Sequence, residues 1–257
     1  MNAPLAAAVA AVVLTLLGGC AGTDQDQTSA PKAATSEQES TSPAPSLEGT
    51  PYASLEAGTQ SAPSFWPPLT FTAPEGWLTE PGAEGLLALV PDTAENRERI
   101  RSGAYSSTFV NVLPNISAAA EDCGEAAASG VGPAASEIIG ALAARPGLST
   151  SGPVAVTIGG LSGQQIDVSL APDWTGHCSG GGPFVPLVYS PGFIWWGAEP
   201  GEQFRIIVLD VAGLPSEMYA TVMIVIYSAD AAAWDDHLSA STALVGSFEF
   251  DTTPPRR

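Results

Sequence analysis

The side chains able to do chemistry are few, and their spacing limits what they can do. The chain has two histidines, His177 and His237, and three cysteines, Cys20, Cys123 and Cys178. His177 lies in Gly176-His177-Cys178-Ser179-Gly180-Gly181-Gly182, which suits a catalytic loop or a surface loop pinned by its cysteine. A Ser-His-Asp site would have to recruit His177 or His237. The nearest approach to a nucleophile elbow, Gly160-Leu161-Ser162-Gly163-Gln164, lacks the second glycine at the required spacing. Asp235-Asp236-His237 gathers potential metal ligands, but neighbours on a helix diverge by about 100° while chelation uses i, i+4 spacing. It reads instead as a solvated helix face beside an inward Trp234. Neither a P-loop nor a dinucleotide-binding fingerprint occurs. No catalytic residue, metal or cofactor is assigned from these signals.

Binding chemistry is better represented. In Trp195-Trp196, adjacent residues of an extended chain point to opposite sides, so one can face a core while the other joins an aromatic surface. With Trp174 and His177 the pair defines a candidate ligand groove; the alternative is that a loop or helix covers it. All four lie between Pro172 and Gln203, the longest stretch without clear element signals, and long loops are where recognition concentrates. Arg97, Arg99 and Arg101 could grip carboxylates or phosphates, but Asp92, Glu95 and Glu98 interleave with them and fit ordinary surface pairing. Arg205 is the sole Lys or Arg between Pro146 and Pro255 and sits inside an apolar strand. A guanidinium there needs an acid, and Asp167 is the natural one, giving a structural ion pair.

Cys20 belongs to a different kind of segment. Leu5 to Leu17 is apolar apart from Thr15, too short to span a membrane comfortably but suited to the h-region of a signal peptide over residues 1–19. It ends in Leu17-Gly18-Gly19-Cys20, which resembles the lipobox of bacterial lipoproteins. That resemblance implies a lipid anchor on the Cys20 thiol, a diacylglycerol with palmitate as acyl group. It also implies a mature chain beginning at Cys20, held on the extracytoplasmic face of the cell membrane. With Cys20 taken by lipid, Cys123 and Cys178 are an even remainder outside the cytoplasm, and a disulfide between them is expected. From Ala21 to about Ser64 the composition turns to Ser, Thr, Pro, Ala, Gln and Glu, with Leu47, Tyr52 and Leu55 the only large apolar residues. A disordered tether over 20–64 follows, with a reach of roughly 35–40 Å.

The remainder must build the domain that positions the candidate groove. The chain has 257 residues and is 45% hydrophobic, enough for one ordinary domain over 65–250 plus appendages, with 251–257 as a frayed tail. Its 27 Asp and Glu against 8 Lys and Arg give −19 at pH 7, which excludes nucleic acid and anionic headgroups as partners. Strands are expected at Leu69–Ala73, Leu86–Val90, Thr108–Leu113, Phe204–Val211 and Tyr219–Tyr227, the last pair apolar on both faces. The pattern of Pro153–Ile158, Gly159-Gly160 and Gly163–Leu170 predicts a hairpin. Asp92 with Glu95 fits a capping box before a short helix, Pro133–Ala144 is a longer one, and a helical repeat runs from Ala231 to Val245.

Pro-Glu-Gly-Trp at 74–77 after an opening strand, Gly-Gly-Leu-x-Gly at 159–163 before the strand with Asp167, the strand bearing Arg205, and the terminal Ser-Phe-x-Phe at 247–250 together resemble PsbP-like domains of actinobacterial lipoproteins, of the LpqN type. The resemblance implies an α+β fold, an antiparallel sheet covered by helices as an α/β/α sandwich. It implies binding or assembly rather than catalysis. The reading is a membrane-anchored, non-catalytic binding or assembly module of the cell envelope, whose partners are the membrane through Cys20 and an envelope ligand or protein. The alternatives are an envelope hydrolase using His177 and a nearby acid, and a protein–protein scaffold.

Overall fold

The computed structural model describes residues 53–253 except 82–84, 179–180, 192–193 and 212–219. The expected leader over 1–19, Cys20, the expected tether as far as residue 52, and residues 254–257 lie outside the described residues.

The N-terminal third is a run of antiparallel strands: β1 (Ala53–Ser54), β2 (Gly58–Ala62), β3 (Leu69–Ala73), β4 (Trp77–Pro81) and β5 (Leu87–Pro91). Helix α1 (Ala94–Arg101), β6 (Thr108–Pro114), the short β7 (Ser117–Ala118) and α2 (Ala135–Ala143) follow. Next come β8 (Leu148–Thr150), β9 (Val154–Ile158) and the long β10 (Leu161–Leu170). The chain closes with β11 (Val185–Ser190), β12 (Ile194–Ala198), β13 (Gln203–Asp210), β14 (Thr221–Ser228), α3 (Trp234–Val245) and β15 (Glu249–Phe250).

The central sheet runs β1-β4-β5-β6-β14-β13-β10-β8, with β9 also paired to β10, and every pairing is antiparallel. Alternation along its inner strands explains why they look continuously apolar. On β14, Val222, Ile224 and Ile226 enter one core while Met223 and Val225 enter the other. On β13, Ile207 and Leu209 face the first, and Ile206 and Val208 the second. The first core is closed by α3 and the small sheet β15-β3-β2; the second by α2 and the small sheet β12-β11-β7. The fold is α+β, with each face of an antiparallel sheet covered by a helix and three added strands.

Three expectations need correction. The domain begins about a dozen residues before Phe65, because β2 pairs along its whole length with β3 and buries Gln60 and Ala62, while Leu55 joins the first core. Gly-Thr-Gln-Ser-Ala is ordered by backbone pairing, which a composition argument does not see. Helix α1 is capped by Thr93, whose Oγ1 accepts from the Asn96 amide at 3.1 Å, while Asp92 turns to Arg97, accepting from its Nη2 at 2.6 Å. The stretch 172–203 is not a plain loop, since it contains the β11–β12 hairpin. Pro186 inside Phe-Val-Pro-Leu-Val-Tyr disguises that strand. The register shifts between Pro186 and Val188, and this irregularity accommodates a residue with no amide to donate.

Candidate functional site

Trp174 and His177 line a cleft of about 160 Å³ between the end of α2, the segment after β7 and the start of β11. Each wall has a local cause. The segment after β7 is tied to β11 by the Ala119 amide, which donates to Leu187 O at 3.0 Å. The amide of Phe184 donates to Gly176 O at 2.9 Å, and the Trp174 indole Nε1–H donates to Phe184 O at 3.1 Å. At Gly147, which follows α2 with φ +82°, a side chain would begin 2.4 Å from the Trp174 ring, so only glycine lets the indole lie there. Cys123 and Cys178 are bonded, with Cα atoms 5.6 Å apart, across a sequence separation of 55 residues. The bond fixes the loop bearing His177 to the opposite wall.

Arg145 is the residue that sequence reasoning passed over. It is 5% exposed, just beyond the C-terminus of α2, and lines the cleft. One Nη donates to Pro186 O, the other to Ala119 O at 2.6 Å, and Nε has no hydrogen-bond partner. Burial pulls this guanidinium below the ordinary arginine range, and the charge of Glu121 opposes the shift. Glu121 is exposed on the lining of the same cleft. No ion pair to Arg145 forms among the described residues.

The four residues of the candidate groove are not brought to one place. Trp195 and Trp196 are half-buried on β12 and do not line the cleft. Trp195 packs on Phe184 with centroids 5.1 Å apart, so it backs the cleft wall from behind. Trp196 points the other way, onto Phe109 at 5.7 Å, and packs against the second core. His177 is exposed, and its Nδ1 lies 3.4 Å from Thr175 O. Among the described residues, those lining its cleft include an acid, Glu121, but neither a serine, a threonine nor a free thiol.

Elsewhere the titratable groups have structural surroundings. Asp167 and Arg205 are direct cross-strand partners on β10 and β13. Arg205 Nε donates to Oδ1 at 2.6 Å and Nη2 to Oδ2 at 2.8 Å, a bidentate pair that raises the arginine pKa. On α3, Asp235 and Asp236 face solvent as expected, but His237 is buried, because the helix turns it inward over Trp77. Among the described residues no three His, Cys, Asp or Glu side chains gather as metal ligands would.

No protein-family model and no curated protein sequence matches the chain. Among solved structures it is similar to LpqN, involved in cell envelope biogenesis of Mycobacterium tuberculosis, with TM-score 0.35 and 13% identity over 70% of this chain and 82% of that one. It is also similar to cyanobacterial PsbP (CyanoP) from Synechocystis sp. PCC 6803, with TM-score 0.36 and 12% identity over 79% of this chain and 99% of that one.

Proposed function

We propose that the protein is a lipid-anchored, extracytoplasmic module of the cell envelope that binds a small ligand in the cleft between Arg145, Trp174 and His177. The Cys123–Cys178 bond carries this reading. Disulfides of this kind belong to oxidising compartments, outside the cytoplasm. The bond also ties together two walls of the cleft that no regular element supplies, the segment after β7 and the loop bearing His177. A pinned aromatic wall beside a buried charge is the usual composition of a small-molecule site. The anchor rests on Cys20, and fractionation tests it: the Cys20→Ser protein is expected in the soluble fraction, and its retention on membranes would refute the anchor. Native mass spectrometry of the detergent-extracted protein tests the cleft. A bound mass is expected that Trp174→Ala loses, while a mass that survives this change would place binding elsewhere.

A scaffold role is the second reading, and β9 is what favours it. It pairs only with β10 among the described residues, and Val154 on it is 52% exposed. Ser151 to Gly163 contains no charged residue, in a chain of net charge −19. An uncharged open edge can accept a strand from a partner.

A further inference from the structure

We infer that the cleft takes a small carboxylate, its charge on the Arg145 side and its body against Trp174 and Phe184; this rests on the cleft being a binding site. The argument starts from a charge that lacks its counterpart. Arg145 is almost wholly buried, yet among the described residues its charge meets only two neutral carbonyls, Pro186 O and Ala119 O. Its Nε donor has no partner, and Glu121, the acid whose field reaches it, makes no ion pair with it. A buried cation without an acid is costly to keep, and a guanidinium fork matches the paired oxygens of a carboxylate or a phosphate.

The remaining walls select the rest of the ligand. Trp174 has spent its only donor on Phe184 O, so its ring offers an apolar face and nothing polar. Phe184 extends that face. A cleft of about 160 Å³ is well below the roughly 300–1,000 Å³ usual for drug-sized ligands and suits a single ring or short chain. A dianionic phosphate would meet Glu121 at the rim of an already acidic protein, whereas a monoanion meets half that repulsion.

The test uses the full chain, labelled with ¹⁵N, and two isosteric probes, benzoate and benzamide, followed by the Trp174 indole N–H resonance. Benzoate is expected to shift it saturably and to bind about tenfold tighter than benzamide. Glu121→Gln, an exposed change that should fold normally, is expected to tighten benzoate about threefold and to change benzamide by less than that. Arg145→Met should bring benzoate down to the level of benzamide; if that variant fails to fold, the Glu121→Gln comparison decides alone. Equal affinities, or benzoate indifferent to Glu121→Gln, would overturn the carboxylate inference and leave a neutral binding cleft standing. A resonance that neither compound moves would overturn the inference and the cleft reading together.

Discussion

His237 is held in one protonation state by its surroundings. Its ring stacks on Trp77 at 6.4 Å, and Nε2 lies 3.3 Å from Phe109 O. A carbonyl can only accept, so Nε2 carries the proton, and the Ser241 hydroxyl lies beside the ring, 3.4 Å from Nδ1 and 3.3 Å from Nε2. Burial lowers the pKa of this imidazole, outweighing the opposing bond to Phe109 O. The unfolded chain takes up a proton near the ordinary histidine value of about 6.5, and the folded chain only below it. Stability is therefore expected to fall as pH drops through about 6.5, by up to about 1.4 kcal/mol per unit, until the folded value is passed. Urea titrations across that range should show the slope reduced in His237→Gln, which keeps a donor for Phe109 O. Parallel curves for the two proteins would contradict the argument. Arg145, by contrast, was hard to see in the sequence. It stands before Pro146-Gly147 at the end of a helix, where a cation reads as a partner for the last carbonyls, and nothing local reveals that β11 will close over it.

The pairing of β10 with β13 depends on Gly163. A Cβ there would lie 1.9 Å from Val208 O, a backbone atom of the neighbouring strand that cannot step aside. Gly163→Ala is expected to destabilise the domain by about 2–4 kcal/mol, read as a lower urea midpoint. An unchanged midpoint would show that the strands separate freely at this point. The strongest elements were legible for simple reasons. β13 and β14 are β-branched runs buried on both faces, α2 shows one apolar stripe with a Pro-Gly stop, and β9–β10 is announced by Gly159-Gly160. What stayed illegible is what long-range pairing creates. β2 has no large apolar residue to advertise it, β11 hides a proline, and the cleft is assembled from pieces some 55 residues apart along the chain. The opposite orientations of Trp195 and Trp196 followed from strand alternation; which partners they would meet did not.

At the scale of the molecule, the Cys123–Cys178 bond closes a loop spanning 55 residues. On the chain-entropy account this contributes about 4 kcal/mol, so reduction is expected to lower the melting temperature by roughly 10 °C. Calorimetry with and without a thiol reductant measures it directly, and equal melting temperatures with the cysteines shown to be free would refute the estimate. The order of the central sheet has a consequence in time. β14, built from Thr221–Ser228, lies in its middle, between β6 from the first half of the chain and β13. Neither core is complete without β14, which contributes side chains to both and is among the last strands to be synthesised. Such non-local closure is slow. A nascent chain thus lacks the middle of its central sheet until residue 228 has been made, and a sheet without its middle is a condition in which a polypeptide can still be threaded through a narrow pore.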